Sequence, residues 1–174
     1  MIKCLDNPKT ELYLNFKKHV LSHSFPWFYY SKSTPYDLDG SEYSNISLHS
    51  HTFLLRPEDT LDKIPKPNSN NLDIASKVFL EIFKYNNIPI NYFLRINANY
   101  TQSYERVLNS VPHVDHPYEH KNALIYLTNS GGSTIVNQEM HDPSEDDVII
   151  FGGETHYHQT AQKDRRVVLV ATFN

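Results

Sequence analysis

The chain has 174 residues and a formal net charge of -4, which is enough length for one domain with a real core and gives no electrostatic reason to expect nucleic acid as a partner. Its single cysteine, Cys4, excludes an internal disulfide and any multi-cysteine zinc or iron–sulfur site, and fits a reducing cytoplasm. With no apolar run near the ~18 residues of a membrane span and no charged-then-apolar leader, the chain reads as soluble, unprocessed and without a membrane partner.

In chain order, "NPKTELYLNFKKHVLSH" predicts a helix, with Asn7 as cap, Pro8 at the first helical position and Leu12, Phe16 and Val20 on one stripe. "FPWFYY" reads as a buried strand. The polar stretch 31–45, with Pro35 and Gly40, reads as a loop. It is a candidate lid carrying Tyr36, Asp37, Asp39 and Tyr43. "ISLHSHTFLL" is a strand, and its His49 and His51, which share a face, read as structural. After the loop 56–71, "LDIASKVFLEIFKYNN" is the clearest helix, capped by Asp73. From residue 90 the pattern turns to short strands: "INYFLRINANY", "ALIYLT", "STIVNQ", "DDVIIF" and "RRVVLVATF". Early helices and late strands at roughly ten-residue spacing predict a single α+β, mainly β domain over 1–174. Its helical support lies mostly in 1–90, and an antiparallel sandwich, barrel or jelly-roll core lies mostly in 91–174.

Chemistry concentrates in that second half. In "VPHVDHPYEH", His113 and Asp115 stand two apart, a spacing that aims both side chains the same way on a strand. Alone this means little, because ten histidines make such pairs common by chance. About forty residues on, "GGETHYHQ" adds His156 and His158 just after a strand. Two histidines and one carboxylate suit a non-haem ferrous ion with open positions. Arg165 and Arg166 then begin the last strand. They lie on opposite faces, so one of them can point inward and fork onto a carboxylate. Between the two halves, Tyr126 offers a hydroxyl, and Gly131 and Gly132 a tight turn. Asn97 and Asn99 alternate with Ile96 and Ala98 and either line a pocket or face solvent. His116, Tyr118 and His120 read as loop residues beside the site.

The order "HVD", "IYLTN", "GGST", a distal histidine and "RR" resembles the iron(II)/2-oxoglutarate dioxygenase family, in particular its prolyl-4-hydroxylase-like branch and the short oxygenases encoded by bacterial viruses. "WFYY" and "RINAN" add to that likeness. The resemblance implies a double-stranded β-helix (jelly roll) core buttressed by N-terminal helices. It implies His113, Asp115 and His156 as Fe(II) ligands, because the family places its basic residue nine or ten positions after the distal histidine. Arg165 and Arg166 stand at those positions from His156 but only seven and eight from His158. It further implies that Arg166, whose register sends Val168, Val170 and Thr172 inward, and the Tyr126 hydroxyl bind 2-oxoglutarate.

The implied activity couples O2 and decarboxylation of 2-oxoglutarate to succinate with hydroxylation of an unactivated C–H bond. Ascorbate is admitted as an auxiliary reductant. The substrate would be a peptidyl proline, or alternatively a free amino acid or other small molecule, in the cytoplasm of the cell or of a virus's host. Thr128 replaces the family's usual asparagine, and the last strand lacks the second arginine of the nucleic-acid-demethylating branch. Two other classes compete. One is a non-catalytic cupin-like binding module; the other is a zinc hydrolase, for which the sequence offers no general base.

Overall fold

The computed structural model describes residues 1–34 and 42–174. The predicted lid residues Tyr36, Asp37 and Asp39 therefore lie outside the described residues. Thirteen strands are described: β1 (Lys3–Leu5), β2 (Phe28–Tyr30), β3 (Tyr43–Ser44), β4 (Leu48–Leu55), β5 (Lys66–Pro67), β6 (Phe93–Gln102), β7 (Asn109–Ser110), β8 (Lys121–Tyr126), β9 (Thr134–Val136), β10 (Glu139–His141), β11 (Val148–Gly152), β12 (His156–His158) and β13 (Arg165–Phe173). With them come two α-helices, α1 (Glu11–Val20) and α2 (Leu72–Tyr85). The large sheet runs β1-β11-β8-β13-β6-β4-β2, with β5 added beside β4. Its pairings are antiparallel throughout. A smaller sheet, β10-β9-β12, lies against its inner face. Together they form a mainly β jelly roll, one of the three architectures that the strand spacing allows and the one that the family resemblance implies.

Side-chain parity explains the layers. On β13, Val167, Leu169, Ala171 and Phe173 face outward and pack with Tyr13, Phe16 and Val20 of α1 and Ala75, Val78, Phe79, Ile82 and Phe83 of α2. Val168 and Val170 face inward, where they join Leu124 and Tyr126 of β8, Ile149 and Phe151 of β11 and Val136 of β9. A strand buried on both faces reads as a continuous apolar run, hence "VVLVATF". Each fully buried large side chain of the outer cluster contributes about 1.5–3 kcal/mol. β6 is different: Ile96 and Ala98 join the outer core, and its polar residues take the inner face.

Several sequence-based expectations are corrected. The cap of α1 is Thr10, whose hydroxyl accepts from the Tyr13 amide at 3.2 Å. Asn7 instead accepts from the Lys9 amide at 2.9 Å. Asp73 lies inside the first turn of α2, paired with Lys77 at 2.6 Å, and Asn71 is the N-cap. "FYY" forms a strand, but an exposed one at the end of the large sheet. Aromatic content alone does not tell an edge from a core. The first half also adds β1, β2, β4 and β5 to the large sheet, and of these the stretches of β2 and β4 read as strands in the sequence.

Candidate metal centre

His113 and His156 are placed by each other. They form an isolated antiparallel bridge, with His113 N–H donating to the His156 carbonyl at 2.9 Å and His156 N–H donating back at 3.0 Å. After His113 the backbone bends at Asp115 and does not continue as a strand, so the one-strand expectation for this pair is replaced by a bridge followed by a bend. The ligand atoms of His113, Asp115 and His156 lie within 4.8 Å of one another, and no other such group occurs among the described residues.

The local bonding leaves the right atoms free. His113 Nδ1 is 3.1 Å from the Val111 carbonyl oxygen, and His156 Nδ1 is 3.0 Å from that of Glu154. A carbonyl only accepts, so each Nδ1 carries the proton and each Nε2 keeps a lone pair for a metal. Burial and the neighbouring His156 ring lower the His113 pKa to about 4, which keeps that imidazole neutral near pH 7. Asp115 is buried. Burial by itself would push its carboxyl up, but the Arg95 guanidinium and the nearby imidazoles hold it well below the usual carboxylate range. Arg95 Nη2 donates to Oδ1 at 2.7 Å, while Oδ2 lies 3.5 Å from His156 Nε2. The donor set of two imidazoles and one carboxylate suits iron, with positions left over for other ligands.

A cavity of about 100 Å³ runs inward from this trio. Arg166 also lines it and is 5% exposed. Its Nε donates to the Gly132 carbonyl at 2.9 Å and its Nη2 to Thr134 Oγ1 at 2.9 Å. Gly131 and Gly132 have φ of 68° and 83°, the left-handed region that favours glycine. A side chain at Gly132 would also press within 2.8 Å of Arg166 Cδ. Tyr126 stacks under the guanidinium, 5.3 Å from ring centroid to Cζ. Its hydroxyl lies 2.7 Å from Thr134 Oγ1. The hydroxyl that lines the cavity is therefore that of Thr134, with Tyr126 one layer behind. Arg165 faces the other way, donating to the Leu21 carbonyl at 3.1 Å and sitting over the Tyr100 ring.

The remaining candidates separate clearly. His158 lines the cavity beside Arg166, and burial followed by the Arg166 charge lowers its pKa well below the usual value. Asn99 lines the same cavity, and Asn97 donates to it at 2.7 Å. His116, Tyr118 and His120 line an open groove of about 930 Å³ on the outer side of the trio. His116 bridges Glu58 and Thr172 Oγ1 there, at 3.0 and 2.8 Å. His51 is structural, held between the Pro26 carbonyl and Ser69, each at 2.8 Å. His49 stacks on Tyr100. Thr128 ties the Arg165 carbonyl to the Val167 amide across β8 and β13. Sequence reasoning overlooked Arg95, Thr101 and Thr134 as cavity residues. The signal for the first two is the polar alternation Arg95, Asn97, Asn99, Thr101 along β6.

No protein-family model and no curated protein matches the sequence. Solved structures do. An oxidoreductase of the 2OG-Fe(II) oxygenase family from Burkholderia pseudomallei superposes with a TM-score of 0.56 at 13% identity, covering 86% of this chain and 73% of that one. That likeness places the chain among the double-stranded β-helix folds. An RmlC-like cupin protein from Desulfovibrio desulfuricans gives 0.37 at 16% identity, covering 45% of this chain and 70% of the other. A salicylate 1,2-dioxygenase from Pseudaminobacter salicylatoxidans gives 0.36 at 9% identity, covering 45% of this chain and a fifth, 20%, of the dioxygenase. Among the described residues no helix is long and apolar enough to cross a membrane.

Proposed function

We propose that this protein is an Fe(II)- and 2-oxoglutarate-dependent oxygenase that hydroxylates an unactivated C–H bond. One observation carries the reading: two histidines with free Nε2 atoms, a buried carboxylate and a buried guanidinium all open on one cavity. A zinc site alone leaves that guanidinium without an anion to bind. His113, Asp115 and His156 would hold the iron, which with O2 and 2-oxoglutarate supplies oxidising power, the diacid leaving as succinate and CO2. Arg166 would pair with the far carboxylate of the diacid, in a water-poor pocket where such a pair is stronger than in bulk. Thr134 and Tyr126 hold the guanidinium in place. Arg95 orients Asp115 by occupying Oδ1, which leaves Oδ2 for the metal.

The outer groove, which His113 and Asp115 also line, supports a substrate that approaches from solvent. A peptidyl proline is the substrate that the prolyl-4-hydroxylase-like motif order favours, with a free amino acid or other small molecule as the second reading. The test is anaerobic. Fe(II) followed by 2-oxoglutarate should produce the weak visible charge-transfer band of the chelate. Admission of O2 with a substrate mixture should release succinate in step with a mass gain of one oxygen. Iron binding with no response to 2-oxoglutarate would overturn the proposal in favour of a cupin-like binding module.

A further inference from the structure

His158 Nε2 is buried and makes no hydrogen bond, although the ring lines the same cavity as the trio and Arg166. The state of that nitrogen follows from its neighbour. Ser110 Oγ is fully buried; it accepts from the His158 backbone N–H at 3.0 Å and lies 3.1 Å from the ring Nδ1. Among the described residues the serine hydroxyl has no other partner, so its proton goes to Nδ1. The ring proton then sits on Nε2, making that atom a donor.

The strand sets where this donor points. β12 pairs with β9 so that His156 faces Val136 and His158 faces Thr134. His158 thus lies one side-chain period, ~6.6 Å, from the ligand His156, and across from the threonine that accepts from Arg166. A buried N–H left unsatisfied is costly. An anion held by Arg166 would satisfy it.

We propose that His158 is a cosubstrate-binding residue whose Nε2–H donates to the same terminal carboxylate as Arg166, favouring diacids over monoacids. This rests on the oxygenase reading above. The test is anaerobic titration of the iron-loaded protein with 2-oxoglutarate and with 2-oxopentanoate, which keeps the 2-oxo acid head but lacks the terminal carboxylate. Four proteins are compared: wild type, His158→Ala, His158→Asn and His158→Gln. Iron affinity and the thermal midpoint of each protein without cosubstrate report any purely structural effect.

A hydrogen bond to a charged group is worth enough that His158→Ala and His158→Asn should bind 2-oxoglutarate about tenfold or more weakly. His158→Gln, whose amide nitrogen reaches the Nε2 position, should stay within about threefold of wild type, as one retained donor of similar reach would predict. Binding of 2-oxopentanoate and of iron should not change across the set. If His158→Asn and His158→Gln weaken the diacid equally, or both acids weaken together, the assignment is overturned. If all four proteins bind 2-oxoglutarate alike, only the His158 assignment falls. If wild type binds none, the oxygenase reading falls and takes this assignment with it.

Discussion

The two faces of β13 are built from one stretch of nine residues and do opposite work. Outward, Val167, Leu169, Ala171 and Phe173 meet the helices in a closed apolar layer. Inward, Val168 and Val170 line a cavity together with the buried arginine Arg166. The outer face is held by area, so its cost of change is mainly one of stability. On the inner face Arg166 is held by directional contacts to Gly132, Thr134 and Tyr126, so its cost of change should fall on binding. Stability and chemistry share a strand and are separated by side-chain parity.

That separation can be broken or sharpened by substitution. The largest effect should come from the outer layer: Phe79→Ala, at a position fully buried on α2, should lower stability by about 3–5 kcal/mol. Urea unfolding reads the loss, and iron affinity of the folded protein should be unchanged; a parallel loss of iron would mean the two faces are coupled. Next, Asp115→Ala should reduce ferrous affinity by at least ~100-fold, beyond the range seen when only a hydrogen-bond partner of a ligand is removed. Equilibrium dialysis against Fe(II) under nitrogen measures it.

Arg166→Ala should weaken 2-oxoglutarate binding by roughly 10- to 100-fold, the worth of a charge-assisted pair, and spare iron. Gly132→Ala forces a side chain to φ near 83° and against Arg166. It should cost about 1–2 kcal/mol of stability, read as a lower thermal midpoint, and weaken the diacid along with it. The smallest effect should be that of Arg165→Ala. It removes a contact over Tyr100 worth about 0.5–1 kcal/mol and should leave cosubstrate affinity at the wild-type value. Were Arg165→Ala and Arg166→Ala to exchange these outcomes, the parity argument would fail.

Much of the architecture is legible before any coordinates. Period-2 and period-3.6 patterns locate α1, α2, β4, β6, β8, β11 and β13 to within a few residues, because each is long enough to repeat its signal. The short elements are less legible: three residues at β9, β10 or β12 cannot display a period, β1 becomes a strand only by pairing with β11, and the aromatic run at β2 shows a strand but not that it lies at an exposed edge. Capping failed for a related reason. Thr10, Asn7, Asn71 and Asp73 are all credible caps, and which one acts depends on where the helix begins against the sheet. At the site, residue type and spacing bring forward His113 and Asp115 with a histidine at 156 or 158, an arginine at 165 or 166 and Tyr126, and the resemblance implies His156 and Arg166 among them. Arg95 was missed because an arginine in a strand looks like an ordinary surface charge until Asp115 is seen 2.7 Å away.

By itself, then, the sequence determined what is local or repetitive: the mainly β character, the two helices, the facing of alternate residues and the short list of metal-binding types. Tertiary structure decided what depends on closure of distant segments. It brought His156 opposite His113 across 43 residues of chain, put Thr134 in front of Tyr126 at the cavity wall, and left His158 Nε2 buried beside Arg166. The reason is physical. Periodicity is written along the chain at a few ångströms per residue, whereas a site is an encounter among side chains that only the packing of both sheets brings within reach.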